Sequence, residues 1–324
     1  MSPLYGNKDT KHSLADFFPF QAARLTLLEQ SERIPGLNFS IKAILLLGKV
    51  NKKIRANHPS HVNVIVEKIT LLNNFNLKGR IGGVYISTNE SNTKKSSEFL
   101  STYPSTLTRC HVGFSGWHNL DIIAIRRSDM GVICDFNPQN KIFLEQTLEC
   151  LLRSESREEF VKSMRKYVKE SAITFSPNVS DEFREYKKGY SPGEEIRREL
   201  AREGSWLSSD AQFQYVKNLA DEGKIALITE DIRNTKTFKK IANLVAKGDF
   251  KIDTLYLSNI CHYMQDETDQ EKFISTVKAL ANEETIIINC PKLQGKRHTQ
   301  APNQEILLAK DLKGNHSKLL ETAC

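Results

Sequence analysis

The sequence has no CxxC pair, no apolar run that approaches the roughly 18 residues of a membrane span, and no block of five or six like charges. Its six cysteines show no regular spacing and several lie in apolar runs, which predicts buried, reduced thiols rather than a disulfide framework or a metal site. The first 30 residues lack a basic start followed by an apolar core. Neither a secretory signal peptide nor a membrane span is therefore predicted, and a cytoplasmic protein is expected.

The net charge of +7 and the pI of about 8.9 permit an anionic partner without requiring one. Lys and Arg are spread along the chain, which favours a solvated basic surface. Short basic loops, such as the one that contains Lys292, Lys296 and Arg297, carry no accompanying aromatic RNA-binding motif. Nucleic acid is therefore not favoured as a partner.

The first third of the chain differs in pattern from the rest. Residues 1–105 predict a mainly helical N-terminal region, because residues 17–30 and 62–77 have apolar positions at helical spacing and residues 41–47 form an apolar run. Residues 80–88 predict a strand entered through two glycines, and residues 89–98 are polar and predict a loop.

From residue 106 to residue 324, short apolar runs alternate with helical patterns. Strands are predicted at residues 111–116, 131–136, 224–231, 253–259 and 285–290, with helices at residues 119–127, 140–152, 237–248 and 270–281. This alternation predicts βαβ units and an α/β fold with a doubly wound, mainly parallel, Rossmann-like sheet. Residues 151–210 or so predict a helical insertion, and EILLAKDL predicts a late strand.

Ligands of such a sheet bind beyond the carboxyl ends of the strands. After the first strand, Gly113, Ser115 and Gly116 form a short glycine loop that either cradles a nucleotide or is an ordinary tight turn. His118 and Asn119 open the helix that follows and are further candidate cofactor-binding residues.

The second strand ends in Asp135, which either accepts the two hydroxyls of a ribose or favours the dipole of the next helix. Asn137 is a possible N-cap of that helix, and Pro138 suits its first turn.

Polar residues also follow the third and fourth strands. Glu230 and Asp231 either accept hydrogen bonds from an adenine amino group or belong to a capping turn. Ser258 and Asn259 stand where a substrate would meet a cofactor, and His262 and Tyr263 add a candidate proton acceptor and an aromatic wall. A lone histidine is more often structural, so both interpretations of His262 stay open.

The sequence resembles the class I S-adenosylmethionine-dependent methyltransferases, more narrowly a poorly characterised bacterial group. The resemblance covers residues 111–291 and depends on VGFSG, CDFNPQN, ITED and LYLSNICHY, together with GSWLS at residues 204–208. It implies S-adenosylmethionine as the cofactor. Gly113, Ser115 and Gly116 would lie near its methionine part, Asp135 near its ribose and Asp231 near its adenine.

The resemblance further implies that Ser258, Asn259 and Tyr263 line the reacting end, while Ser205 and Trp206 close the pocket. The expected function is a methyltransferase-like enzyme that takes an adenosine-containing ligand and acts on a small molecule or a protein.

Two alternatives stay open. One is a nucleotide-using transferase or hydrolase, because His118 and Asp121 are three residues apart on a helix and can pair. The other is a catalytically inactive module that binds a host protein, with the chain acting as a bacterial effector delivered by a specialised secretion system.

Overall fold

A six-stranded sheet forms the centre of the structure, a computed structural model that describes residues 61–77, 83–104, 108–177, 189–291, 302–312 and 315–320. The strand order is β3-β2-β1-β4-β5-β6. The first five strands are parallel, and β6 pairs antiparallel with β5. The predicted α/β class with a doubly wound, mainly parallel sheet is confirmed.

The strands follow the predicted positions closely. They are β1 Arg109–Phe114, β2 Met130–Asp135, β3 Ile225–Thr229, β4 Lys251–Ser258, β5 Ile286–Asn289 and β6 Glu305–Leu308. Nearly every residue of β1 to β5 is buried, as expected for a parallel sheet covered on both faces. The late strand predicted in EILLAKDL is β6.

Helices connect and cover the strands. In chain order the described ones are α1 His61–Thr70, α2 Thr93–Thr102, α3 His118–Arg126, α4 Pro138–Arg153, α5 Arg157–Glu170, α6 Pro192–Arg198, α7 Asp210–Asp221, α8 Thr235–Lys247 and α9 Glu267–Leu280. The described part of the predicted insertion is helical and contains α5 and α6. A 3₁₀ turn, Ile260–Tyr263, follows β4.

Local sequence explains where several helices begin and end. Asn137 caps α4 by accepting a hydrogen bond from the Gln139 amide, and Pro138 occupies the first helical position, both as predicted. Ser156 and Ser209 cap α5 and α7 in the same way. Gly248 ends α8, also as predicted.

Two apolar layers sandwich the sheet because alternate strand residues face opposite sides. Cys110, Val112 and Phe114 of β1 face the layer that contains α1, α8 and α9. The opposite layer packs α3 to α7 around Trp117 and Trp206. The five cysteines of the described ranges are buried, as predicted: Cys110, Cys134, Cys150, Cys261 and Cys290.

The N-terminal region departs from prediction in three places. The helix predicted at residues 62–77 ends at Thr70. The strand predicted at residues 80–88 is wrong for the described part, where residues 83–88 make a single bridge, Val84 to Phe175, and are otherwise irregular. The loop predicted at residues 89–98 is wrong from Thr93 onward, where α2 begins. The patterns at residues 17–30 and 41–47 lie outside the described residues.

Parts of the first 105 residues belong to the same core as the sheet. Ile65, Val66 and Ile69 of α1 pack in the first apolar layer, and Val84 and Ile86 pack in the second. The division into a separate N-terminal region stays a prediction. No helix of the described ranges is long and apolar enough to cross a bilayer.

Candidate functional site

The carboxyl ends of the parallel strands form one edge of the sheet, here called the carboxyl edge. Ser115 and Gly116 follow β1, Asp135 ends β2, and Glu230 and Asp231 follow β3. At the same edge, Ser258 ends β4 and is followed by Asn259. The strand order reverses between β1 and β4, so the crevice that a doubly wound sheet offers to a ligand lies between Gly116 and Ser258.

The loop after β1 is tightly held by its own helix. The Asn119 side chain donates from Nδ2 to the carbonyl oxygens of Phe114 and Gly116, both at 2.8 Å. Ser115 has a φ of 77°, a left-handed conformation that glycine adopts more readily. A methyl group on Gly113 would collide with the side chains of Asn119 and His111, so the glycine allows this close packing.

His111 lies beneath the loop as a neutral structural residue. Its Nδ1 is 2.8 Å from Thr254 Oγ1, and its Nε2 is 3.0 Å from Asn119 Oδ1. Complete burial lowers its pKa to about 4. The neutral ring donates from Nε2 to the Asn119 oxygen and accepts at Nδ1.

Residues 84–90, here called the covering segment, pass directly over the loop after β1. The Trp117 amide donates to the Ile86 carbonyl at 2.7 Å. A methyl group on Gly116 would collide with the backbone carbonyls of Tyr85 and Ile86. The amide of Trp117, the residue that precedes α3, and the space above Gly116 are therefore occupied by the chain itself.

Glu90 anchors the end of the covering segment above β4. Its carboxylate accepts from Ser258 Oγ at 2.5 Å and from Gln304 Nε2 at 2.7 Å, and it is buried. Gln304 Nε2 also lies 2.8 Å from His118 Nε2. These contacts join the covering segment to β4, to α3 and to the residue before β6.

A buried ionic cluster continues from His118. His118 Nδ1 lies 2.9 Å from Asp121 Oδ2, so the predicted pair forms, with both side chains buried. Arg202 binds Asp121 at 2.6 Å and Glu199 at 2.7 Å. Burial alone would raise the pKa of Asp121, but Arg202 and His118 lower it, so the carboxylate is ionised.

The GSWLS motif completes this cluster. Ser205 Oγ donates to Glu199 at 2.9 Å, and the Trp206 amide donates to Asp121 at 2.8 Å. The Trp206 ring packs edge-on against Trp117. Both predicted motif residues are buried and hold the insertion against α3.

Asp135 is the half-buried carboxylate of the edge. Its Oδ1 accepts from the Asn137 amide at 2.6 Å, and its Oδ2 accepts from Asn140 Nδ2 at 2.8 Å. Burial raises its pKa to about 6, although those hydrogen bonds oppose the shift. The neighbouring Phe136 exposes 36% of its surface.

The carboxylates of Glu230 and Asp231 at the end of β3 are held by several hydrogen bonds and ion pairs. Glu230 accepts from the Asp231 amide, from Asn74, and at Oε2 from Asn234 and Thr237. Arg233 bridges Asp231 and Asp269, each at 2.6 Å. A cleft of about 340 Å³ lies here and is lined by Asn74, Leu77, Glu230, Asp231, Arg233, Asn234, Asp269 and Lys272.

The residues after β4 differ in their surroundings. Asn259 is half-buried beside Ser258, with 3.4 Å between its Oδ1 and Ser258 Oγ. His262 donates from Nε2 to the Pro291 carbonyl at 3.1 Å, which fixes the ring against the backbone. Tyr263 exposes 66% of its surface.

A second group of perturbed side chains lies behind the covering segment. Burial raises the pKa of Glu195 to about 8 and also raises the pKa values of Tyr190 and Tyr85. Glu195 Oε2 is buried without a hydrogen-bond partner. This carboxyl group is therefore protonated at neutral pH.

The described residues fit only one half of S-adenosylmethionine. Asp135 is half-buried at the end of β2, where a ribose would lie, and the β3 cleft begins at the end of the next strand. The place over Gly116, where a methionine part would lie, is filled by the carbonyl oxygens of Tyr85 and Ile86. Glu90 adds a carboxylate on the β4 side of the same place.

Three residues that build this edge gave no sequence signal. Glu90 lies in a stretch that reads as a polar loop, Arg202 lies in the insertion, and Gln304 precedes the last strand. Each acts through a partner more than 80 positions away in the chain.

The sheet order and the carboxyl edge define an α/β protein of the doubly wound, Rossmann-like class. The chain belongs to the family described as "Domain of unknown function (DUF7790)", whose model matches residues 85–308. The match begins within the covering segment and ends with β6, so it includes the whole sheet.

Among solved structures, the chain is similar to the rRNA methyltransferase aviRa from Streptomyces viridochromogenes. The two share 11% identity and a TM-score of 0.31, over 60% of this chain and 70% of that chain. No curated protein matches the sequence. The order and direction of the strands, rather than this distant likeness, define the fold.

Proposed function

We propose that this protein binds an adenosine-containing ligand at the carboxyl edge, beside Asp135, on a methyltransferase-like fold. The observation that carries the proposal is the state of Asp135. Its carboxylate is half-buried at the end of β2 and accepts hydrogen bonds from the Asn137 amide and from Asn140 Nδ2, with the Ser115 and Phe136 amides as further donors. A half-buried carboxylate of this kind can accept the 2′ and 3′ hydroxyls of a ribose together.

The β3 cleft supports the proposal by its position. The Glu230 amide donates to the Asp135 carbonyl at 3.0 Å, so the cleft begins one strand away from the carboxylate. Its volume of about 340 Å³ suits a small ligand. In this arrangement a base lies over the end of β3, while its ribose lies over β2.

Phe136 provides a further contact. It follows Asp135 directly and is one of the few exposed large apolar side chains of the described residues. An exposed aromatic ring stacks on a nucleobase with an alanine-substitution cost of about 1 to 3 kcal/mol. Asp135 and Phe136 together would recognise a nucleoside by its sugar and by its base.

Methyl transfer is the activity that the sequence resemblance implies. S-adenosylmethionine would supply the methyl group, but the covering segment fills the place of its methionine part. The proposal is therefore restricted to binding of the adenosine part. The roles of His262, Asn259 and Tyr263 in a reaction stay predictions.

The test is calorimetric titration of the full chain with adenosine at millimolar concentration. We expect saturable binding that Asp135→Asn weakens about tenfold, or roughly 1.4 kcal/mol, because the amide offers one acceptor in place of two. Asp311→Asn, at an exposed position after β6, is the control and should bind like the parent. Absence of heat with adenosine in the parent chain contradicts the proposal.

The pH dependence gives the same test a second readout. Ribose hydroxyls donate to the ionised carboxylate, so affinity should rise as the pH is raised from 5 to 7 through the Asp135 pKa of about 6. The Asp135→Asn variant should lack this rise. A pH profile that is identical in the two proteins assigns the binding to another group.

A second candidate is a non-catalytic module that binds a protein partner. It is favoured by the distribution of exposed large apolar side chains among the described residues: Leu71, Phe75, Phe136 and Tyr263. Phe136 and Tyr263 follow β2 and β4, and residues 73–74 hydrogen-bond to Thr229 at the end of β3. Apolar groups gathered at one edge are typical of a contact surface.

This candidate has its own experiment. Phe75→Ser with Tyr263→Ser should abolish recovery of a stable partner and leave adenosine titration unchanged. Loss of adenosine binding with retained partner recovery would instead favour the first candidate. Delivery into a host cell as an effector stays a prediction.

A further inference from the structure

The crevice between β1 and β4 is filled from both sides by the covering segment. On the β1 side, the Ile86 carbonyl accepts the Trp117 amide at 2.7 Å. On the β4 side, Glu90 accepts from Ser258 at 2.5 Å, and Thr88 lies 3.2 Å from the Tyr256 hydroxyl. All of these side chains are buried.

The oxygen atoms of the covering segment that fill the crevice disfavour a negatively charged extension of a ligand. The first amides of a helix ordinarily attract phosphate or carboxylate groups. Here the amide of Trp117, the N-cap residue of α3, is already bonded to a carbonyl oxygen, and the covering segment also carries the carboxylate of Glu90. An incoming anion would meet oxygen atoms where it needs donors.

Glu90 is also costly to displace. Its two carboxylate oxygens are satisfied by Ser258 and Gln304, and Gln304 is in turn bonded to His118. Moving it would leave several buried polar groups without partners, which proteins generally avoid. The segment is therefore a fixed part of the edge rather than a loop lying on it.

We infer that the ligand of the carboxyl edge is a nucleoside whose 5′ carbon carries no charged extension, and that Glu90 and Ile86 exclude the longer ligands. This inference rests on the proposed function, since it specifies which adenosine-containing ligand binds beside Asp135. Dinucleotide enzymes and S-adenosylmethionine enzymes bind part of the cofactor over the loop after the first strand. The inferred ligand of this protein does not occupy that position.

The experiment compares three probes with the full chain by calorimetry: adenosine, adenosine 5′-monophosphate and S-adenosylhomocysteine. Adenosine should bind with an affinity equal to or higher than that of the other two. Tenfold tighter binding of S-adenosylhomocysteine or of the monophosphate overturns the inference and leaves the proposed function intact. Binding of none of the three overturns both.

A variant identifies the excluding group. Glu90→Gln removes the charge and keeps the size of the side chain, so it should improve binding of adenosine 5′-monophosphate, the anionic probe, relative to adenosine by at least threefold. Glu98→Gln, on the exposed face of α2, is the matched control and should leave the ratio unchanged. Thermal unfolding confirms that each variant is folded, and an unchanged ratio in a folded Glu90→Gln contradicts the role of Glu90.

Discussion

Glu195 shows how strongly a single buried residue can respond to its surroundings. It lies in the first turn of α6, is 5% exposed, and leaves one oxygen without a hydrogen-bond partner. Burial raises its pKa to about 8, and the nearby Glu199 adds to the shift. A carboxyl group that stays protonated in the folded chain but ionises near pH 4.5 in the unfolded chain couples folding to pH.

The sign of this coupling follows from proton binding. Between about pH 4.5 and pH 8 the folded chain binds one more proton at Glu195 than the unfolded chain does. The free energy of unfolding therefore falls as the pH rises through this window. Glu195→Gln should remove that component and stabilise the protein at pH 8 by an amount on the order of 4 kcal/mol.

The measurement is chemical denaturation of the parent and the variant between pH 5 and pH 8. Glu194→Gln is the control, because this neighbour lies on the same helix but binds Arg165 and Arg197, and its pKa is lowered. The control should gain no stability at pH 8. If the free energy of unfolding varied with pH in the same way in the parent and in Glu195→Gln, this would falsify the raised pKa of Glu195.

Single residues also show how far sequence reasoning reaches. Asp135, Ser258 and Asp231 could be placed at one edge because parallel strands all end there, and an apolar run followed by a polar residue marks each end. Glu90 and Gln304 could not be placed, because their roles depend on tertiary contacts between segments that have no periodic pattern of their own.

The same limit explains the errors in the N-terminal region. Residues 83–88 are apolar enough to suggest a strand, yet their backbone groups bond to the α3 loop and to residues 174–176 instead of to a neighbouring strand. The residues before Thr93 are polar, but several are buried because they pair with Ser258 and Tyr256. Tertiary contacts, rather than local propensity, decide this segment.

At the scale of elements, the covering segment and the β1 loop depend on each other. Gly116 has no room for a side chain, since a methyl group there would meet backbone atoms of Tyr85 and Ile86 that cannot rotate away. We expect Gly116→Ala to push the segment off the loop and to weaken the bond from Trp117 to Ile86. The cost of such overpacking is about 1 to 3 kcal/mol.

This prediction is checked by thermal and denaturant unfolding against a matched glycine. Gly189→Ala serves as the control, because a methyl group there meets no atom within 4 Å. The control should unfold like the parent, within about 0.5 kcal/mol. Equal stability of Gly116→Ala and the parent would show that the covering segment lies farther from the loop.

At the scale of the whole molecule, the residues before β1 contribute to every apolar cluster of the described chain. Ile69 of α1 packs in the first layer, Ile86 packs in the second, and Leu100 of α2 packs with Tyr256 in a third cluster. Arg126 ties α2 to the sheet by donating to the Leu100 carbonyl and binding Asp253. The apolar layers that cover the sheet therefore include side chains from the residues before β1.

A fragment of residues 106–324 tests this interdependence. It begins at the boundary that the sequence suggests, and it lacks α1, α2 and the covering segment. Removing residues 1–105 would expose apolar side chains in all three clusters and take from Ser258 and Gln304 their bonds to Glu90, and from Arg126 its bond to the Leu100 carbonyl. We expect these costs to exceed the usual stability of a domain, about 5 to 15 kcal/mol. We expect the fragment to lose the cooperative thermal transition and the near-ultraviolet circular dichroism of the full chain. A fragment that unfolds cooperatively at the temperature of the full chain would instead establish residues 106–324 as an independent domain, because its core would then be complete without the N-terminal third.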